Sequence, residues 1–156
     1  MNGVLFYSMT GFVHAAIGAA IGRFVKNPAL AFVLGVGSHV AGDVIPHHDM
    51  DIGETPLVFG TLFHIGRVHG FKSAQFWGAL GAVCPDFEHI PYELKKDPRR
   101  YEPMKEKLIP THNGKLPHNK WPFEEKWGVW FNFTVFIIGL ALAGTLAVHK
   151  NKTAEE

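Results

Sequence analysis

Apolar positions recur along most of this chain at helical spacing, and no alternation of useful length points to a β-strand. A first helix is expected from about Thr10, a suitable N-cap, to Val25. A second opens on Asn27 as N-cap with Pro28 at the first helical position, and should stop near Pro46. A weaker helical pattern covers 56–68, and a clearer one opens at Ser73 and closes near Pro85. Residues 91–122 are rich in proline and charge and read as a long loop with at most one short helix. An apolar helix follows over 123–149, then a polar tail at 150–156. The expected fold class is therefore all-α: a compact helical bundle over 1–122 carrying a C-terminal hydrophobic helix.

Residues 127–148 contain no Asp, Glu, Lys or Arg. As a helix they extend about 33 Å, enough for a hydrocarbon core of about 30 Å. Trp127 and Trp130 stand where interfacial aromatics are found, and charged residues flank the stretch on both sides. A transmembrane helix is expected, the alternative being the buried central helix of a soluble bundle. Residues 3–22 are also uncharged, but they lack a basic start and a clean cleavage site, so a signal peptide is not expected.

Length and charge narrow the function. The 156 residues suit one domain, and a formal net charge of +1 gives no field to attract nucleic acid, so no nucleic-acid partner is expected. One cysteine, Cys84, excludes an internal disulfide and a thiolate zinc cage, and reads as a small core residue. Ten histidines against fourteen carboxylates is the unusual balance, and histidine is the commonest metal ligand.

The histidines fall into a pattern. His39 and Asp43 are one turn apart on the second helix, so both side chains share a face and can reach one ion. A buried His–Asp hydrogen bond explains that spacing equally well. Gly35 extends the stripe by one turn. His14, Gly18 and Gly22 repeat the four-residue step on the first helix, and Gly78, Ala82 and Asp86 on the third clear one, with His89 three residues on. Small residues let helices approach closely, so the stripes should face one another with the ligands pointing inward. The short link at 23–27 makes the first two helices antiparallel neighbours, and the longer link through 56–68 lets the later helix run parallel to the second. His14, His39, Asp43, Asp86 and His89 then converge at one end of the bundle. His47, His48 and Asp49 follow the second helix at that end, and His112 and His118 lie in the loop leaving it. Glu88, like Asp49, is a candidate general base beside a metal. His64 and His69 read as structural or surface residues, and His149 as an interfacial anchor.

These motifs resemble a family of small bacterial and archaeal inner-membrane proteins described as metal-dependent hydrolases. The matching residues are Thr10-x-x-x-His14, the run from Ser38-His39 through Asp43 to Pro46-His47-His48-Asp49, the run from Gly78 through Pro85-Asp86-Phe87-Glu88-His89, and Thr111-His112-Asn113. Family members often carry Asp where Glu88 stands and Ser where Asn113 stands. The His-x-x-x-Asp pattern is also similar to that of the all-helical zinc-dependent phospholipase C. The resemblance implies a His/Asp metal centre and hydrolysis of a phosphodiester or phospholipid; the ligand types point to one or two divalent ions, zinc, and membrane lipid is the expected partner. His47 and His112 would complete or gate the centre. A non-catalytic membrane protein with a structural metal is the alternative, and haem chemistry through paired histidines a third reading. Nine basic residues over 95–126 against six at the other end place the centre on the cytoplasmic side of the inner membrane, by the positive-inside tendency.

Overall fold

The structure, a computed structural model, describes residues 11–45, 54–95, 97, 103–117 and 124–146. Among them the chain is helical with no strand. The order is α1 (Gly11–Val25), α2 (Pro28–Val44), α3 (Glu54–His69), α4 (Ala74–Val83), a 3-10 helix (Cys84–His89), α5 (Ile90–Leu94) and α6 (Glu125–Ala143).

Local chemistry sets the ends. Asn27 Oδ1 accepts the Leu30 N–H at 3.0 Å, with Pro28 in the first turn of α2. Ser73 Oγ caps α4 in the same way, accepting from Phe76 N–H at 3.1 Å. α3 is a full helix where the pattern alone looked weak, because Pro56 falls in its first turn, where its missing N–H has no partner to lose. α6 stops earlier than its apolar run. Gly144 takes a left-handed φ of 78°, its N–H bonds Ala141 O, and Thr145 N–H bonds Leu140 O, each at 2.9 Å. That closing pair satisfies the last carbonyls of a helix of 19 residues, about 28 Å long. The Thr10 cap expected for α1 lies outside the described residues.

α1 is the central helix, packed by α2, α3, α4 and α6, and most of its side chains are buried. The small-residue stripes do meet. A Cβ on Gly18 would strike the Gly78 carbonyl and lie 2.7 Å from Ala82 Cβ. One on Gly22 would strike the Ala74 carbonyl, and one on Gly35 the Gly78 carbonyl. Three backbones thus touch where side chains would hold them apart. The pairing of Gly18 with Gly78 and of Gly22 with Ala74 makes α1 and α4 antiparallel, while α2 runs antiparallel to α1 and alongside α4. Val58, Leu62 and Ile65 of α3, and Leu140 and Ala143 of α6, close the apolar core.

α6 lies along α1 in parallel. The Phe12 ring stands 5.8 Å from Phe133 and 4.9 Å from Phe136, Gly139 faces Ala16, and Arg23 Nη1 donates to Leu142 O at 3.0 Å. Residues 126–143 of this helix are long and apolar enough to cross a membrane, and only 28% of them are buried. A central helix of a soluble bundle would be covered on all sides. Here Trp127, Trp130, Ile137, Ile138 and Leu142 face outward.

Candidate metal centre

The ends of α2 and of the 3-10 helix, the start of α1 and a turn at 104–113 converge on one buried spot. α1 supplies His14, α2 supplies His39 and Asp43, and the 3-10 helix supplies Asp86. The turn supplies Thr111 and His112. It holds its shape through Met104 N–H to His112 O, Lys107 N–H to Met104 O and His112 N–H to Ile109 O, all at 3.0 Å.

The ligand atoms gather closely. His39 Nε2 is 3.3 Å from Asp43 Oδ2 and 3.6 Å from Asp86 Oδ1. His112 Nε2 is 3.4 Å from Asp43 Oδ2, 3.9 Å from Asp86 Oδ1 and 3.4 Å from His39 Nε2. His14 stacks on the His39 ring at 4.2 Å and places Nε2 3.4 Å from Asp43 Oδ1. Bonds of about 2.0–2.1 Å to a tetrahedral ion set neighbouring ligand atoms about 3.3–3.4 Å apart. The observed spacings cluster at that edge length, stretched only at Asp86.

The protons decide what such a cluster can hold. A carbonyl only accepts, so the contact from His39 Nδ1 to Ala82 O at 2.8 Å puts the ring proton on Nδ1. His112 Nδ1 donates to Glu88 Oε1 at 2.6 Å, and Glu88 Oε2 accepts Leu108 N–H at 2.8 Å, so both carboxylate oxygens act as acceptors. With Nδ1 committed on each ring, the two Nε2 atoms face each other and the oxygens of Asp43, each as a lone pair on a neutral ring or as an N–H on a protonated one. Acceptors directed at one buried point repel unless a metal ion or a ring proton sits between them, and a bound metal ion takes the place of that proton. Orientation of a ligating histidine through its second nitrogen is the usual support for a metal ligand. The buried His/Asp groups are therefore arranged so that they could hold a metal ion. Thr111 adds a donor from the side, Oγ1 to Asp43 Oδ2 at 2.6 Å.

The described ligand atoms form two overlapping triads, His14–His39–Asp43 and His39–Asp86–His112. His39 has one nitrogen to give to both. Two ions cannot each take it, so the triads serve one ion, or two joined through the Asp43 carboxylate.

Of the residues expected at the centre, His14, His39, Asp43, Asp86 and His112 are brought together. His89 is buried beside them. Its ring packs 4.4 Å from that of His112, its Nδ1 lies 3.3 Å from Lys107 Nζ, and it belongs to neither triad. Glu88 reaches the centre only through His112. His47, His48, Asp49 and His118 lie outside the described residues, as does His149. His64 is exposed, and His69 is tied to the far end of the bundle through Thr145 Oγ1 at 3.1 Å and Gln75 Nε2 at 3.5 Å. Cys84 is half-buried at the end of α4. One contributor escaped the sequence reading, Lys107, a lysine only 4% exposed, while Thr111 stood in the Thr111-His112-Asn113 motif without a role for its hydroxyl. Lys107 sits in the charged run Lys105-Glu106-Lys107, where nothing local marks one lysine as buried.

Comparison with family models, with curated proteins and with solved structures gives no match to this chain. The centre is accordingly read from its own geometry.

Proposed function

We propose that the protein is a membrane-bound, metal-dependent hydrolase acting on a phosphodiester or phospholipid, with zinc as the metal. The observation that carries this reading is the pair of histidines, His39 and His112, whose Nδ1 protons are committed to Ala82 O and Glu88 and whose Nε2 atoms stand 3.4 Å apart against Asp43. Nitrogen and carboxylate ligands at tetrahedral spacing suit zinc. When bound, a divalent cation lowers the pKa of a coordinated water toward neutrality and polarises a phosphoryl oxygen.

The chain's own residues then divide the remaining work. Ala82 O and Glu88 fix the two imidazoles, and Thr111 fixes Asp43. His14 holds the other Asp43 oxygen or joins the ligand set, and His47 gates or completes it. The Asp86 side chain is 20% exposed while those of His14, His39, Asp43 and His112 are 0–1% exposed, so Asp86 marks the side where water and substrate enter. Of the two carboxylates expected to take a proton, Glu88 has both oxygens engaged, and Asp49 lies outside the described residues.

A structural metal is the second reading, favoured by one fact: His39, Asp43, Asp86 and His112 alone provide four protein ligands, enough to close a tetrahedral site. Metal analysis by mass spectrometry tests the shared premise. The purified protein should carry near-stoichiometric metal and His39→Ala should lose it; full occupancy in that variant overturns the assignment. X-ray absorption of the zinc-loaded protein then separates the readings, since a sphere filled by protein ligands alone contradicts hydrolysis.

A further inference from the structure

We propose that the metal centre lies inside the bilayer, near half depth, and that its substrate is an amphiphile reaching it from the lipid. The substrate part rests on the hydrolytic reading above; the depth does not.

The first support is where charge is missing. Stretches 11–22, 28–42, 55–66, 74–85 and 127–146 contain no Asp, Glu, Lys or Arg, so every long helix has a charge-free section. Several of these sections face outward. α2 presents Leu30, Val33 and Leu34 to the surroundings at 42–63% exposure, and α3 presents Phe59 and Phe63 at 59% and 61%. Water-facing helices carry polar residues on that side. A face that is apolar on α2, α3 and α6 together fits acyl chains as its occupant.

The second support is depth. Arg23, Lys26, Arg67 and Lys72 lie at the end of the bundle opposite the centre and mark one boundary of the belt. From Arg23 to His14, α1 rises about 14 Å. From Asn27 to His39, α2 rises about 18 Å, and from Ser73 to Ala82, α4 rises about 14 Å. α6 agrees, since its contacts to Phe12 and Ala16 put His14 beside residues near 136–139, well inside that helix. Against a hydrocarbon core of about 30 Å, three helices give the centre a place near the middle.

The third support is the cap over the centre. Irregular backbone at membrane depth must satisfy its own polar groups. The turn at 104–113 meets part of that need through the bonds already described, and Asn113 adds a side-chain bond to Lys107 O at 3.1 Å. Around it, Leu94 and Leu108 stand 80% and 86% exposed, with Phe87 and Ile90 at 38% and 47%. These side chains suit lipid contact, while the exposed Lys105, Glu106 and Lys115 give the cap a polar rim.

Depth can be read with spin labels. In a Cys84→Ser background, Gly37→Cys and Ala41→Cys place a nitroxide on the exposed face of α2 at the level of His39, where a Cβ on Gly37 meets nothing within 4 Å. Lys72→Cys labels the opposite boundary. The full chain is reconstituted in phosphatidylcholine vesicles, and each label's collision with oxygen is compared with that of a water-soluble nickel chelate. Oxygen should dominate at 37 and 41 and the chelate at 72. Chelate access at 37 and 41 equal to that at 72 overturns the depth, whatever metal is bound. The zinc-loaded wild type is then offered a long-chain phospholipid in the vesicle and a soluble short-chain phosphodiester. Turnover confined to the lipid is expected, and turnover of the soluble ester at the same rate overturns the substrate part. No turnover of either, with zinc bound, overturns the hydrolytic reading and the substrate part with it, while the label data stand alone on depth.

Discussion

Glu88→Gln separates two roles that one carboxylate could play. In the structure Glu88 accepts from both His112 Nδ1 at 2.6 Å and Leu108 N at 2.8 Å. A glutamine of the same shape has one acceptor oxygen and one NH2. Whichever way the amide turns, one of the two donors meets another donor. If the oxygen stays on Leu108, His112 loses the acceptor that fixes its proton on Nδ1, and Nε2 no longer presents a lone pair in every molecule. Loss of such a supporting acceptor lowers metal affinity typically 10–100-fold. That range corresponds to about 1.4–2.8 kcal/mol. The assay is competition for zinc against a fluorescent chelator at fixed pH, with wild type and Glu88→Gln in the same detergent. A drop in affinity within that range is expected. Unchanged affinity refutes the orienting role, and unchanged affinity with turnover lost returns Glu88 to the general-base role that its place in the sequence suggested.

Other changes probe the rest of the fold. Gly18→Ala forces a methyl against the Gly78 carbonyl and should destabilise by about 1–3 kcal/mol. Gly37→Ala, in open space, should be neutral or slightly stabilising, and thermal unfolding in detergent reads both. Thr111→Val removes the 2.6 Å bond to buried Asp43 and should lower the stability of the metal-free protein by about 1–3 kcal/mol in the same assay. His69 gives a pH signature. Burial, then Arg23 and His64 nearby, hold its pKa below the ordinary histidine value. The unfolded chain therefore takes up a proton first as pH falls, and stability should drop below about pH 6.5. His69→Gln should flatten that part of the profile, and an unchanged pH profile would contradict it.

Much of the centre was legible because helical spacing is local. The steps His14–Gly18–Gly22 and Gly35–His39–Asp43 each put ligands and small residues on one face, and link lengths set the directions that bring those faces together. The 3-10 segment was less legible. At 3.0 residues per turn rather than 3.6, it changes which of Asp86, Glu88 and His89 point at the centre. Asp86 joins a triad, Glu88 reaches His112 Nδ1, and the His89 ring packs 4.4 Å from that of His112. The turn at 104–113 was the least legible. Its shape depends on long-range contacts to Glu88, His89 and Asp43, so Lys107 looks like an ordinary loop residue in the sequence, and Thr111 is marked there only by its place beside His112. The end of α6 shows the opposite case, a local signal that prevails over a longer one: Gly144 stops the helix inside a continuous apolar run.

Ala82 joins two properties that are usually separable. Its methyl sets the gap between α4 and α1 at Gly18, its N–H abuts Gly35 of α2, and its carbonyl fixes the proton of His39. Sliding one helix along another therefore moves the acceptor that orients a ligand. If the centre holds the proposed zinc, helix register and metal affinity are tied to the same residue, so a substitution that shifts the packing should also read out as a change in zinc binding, even where it touches no ligand.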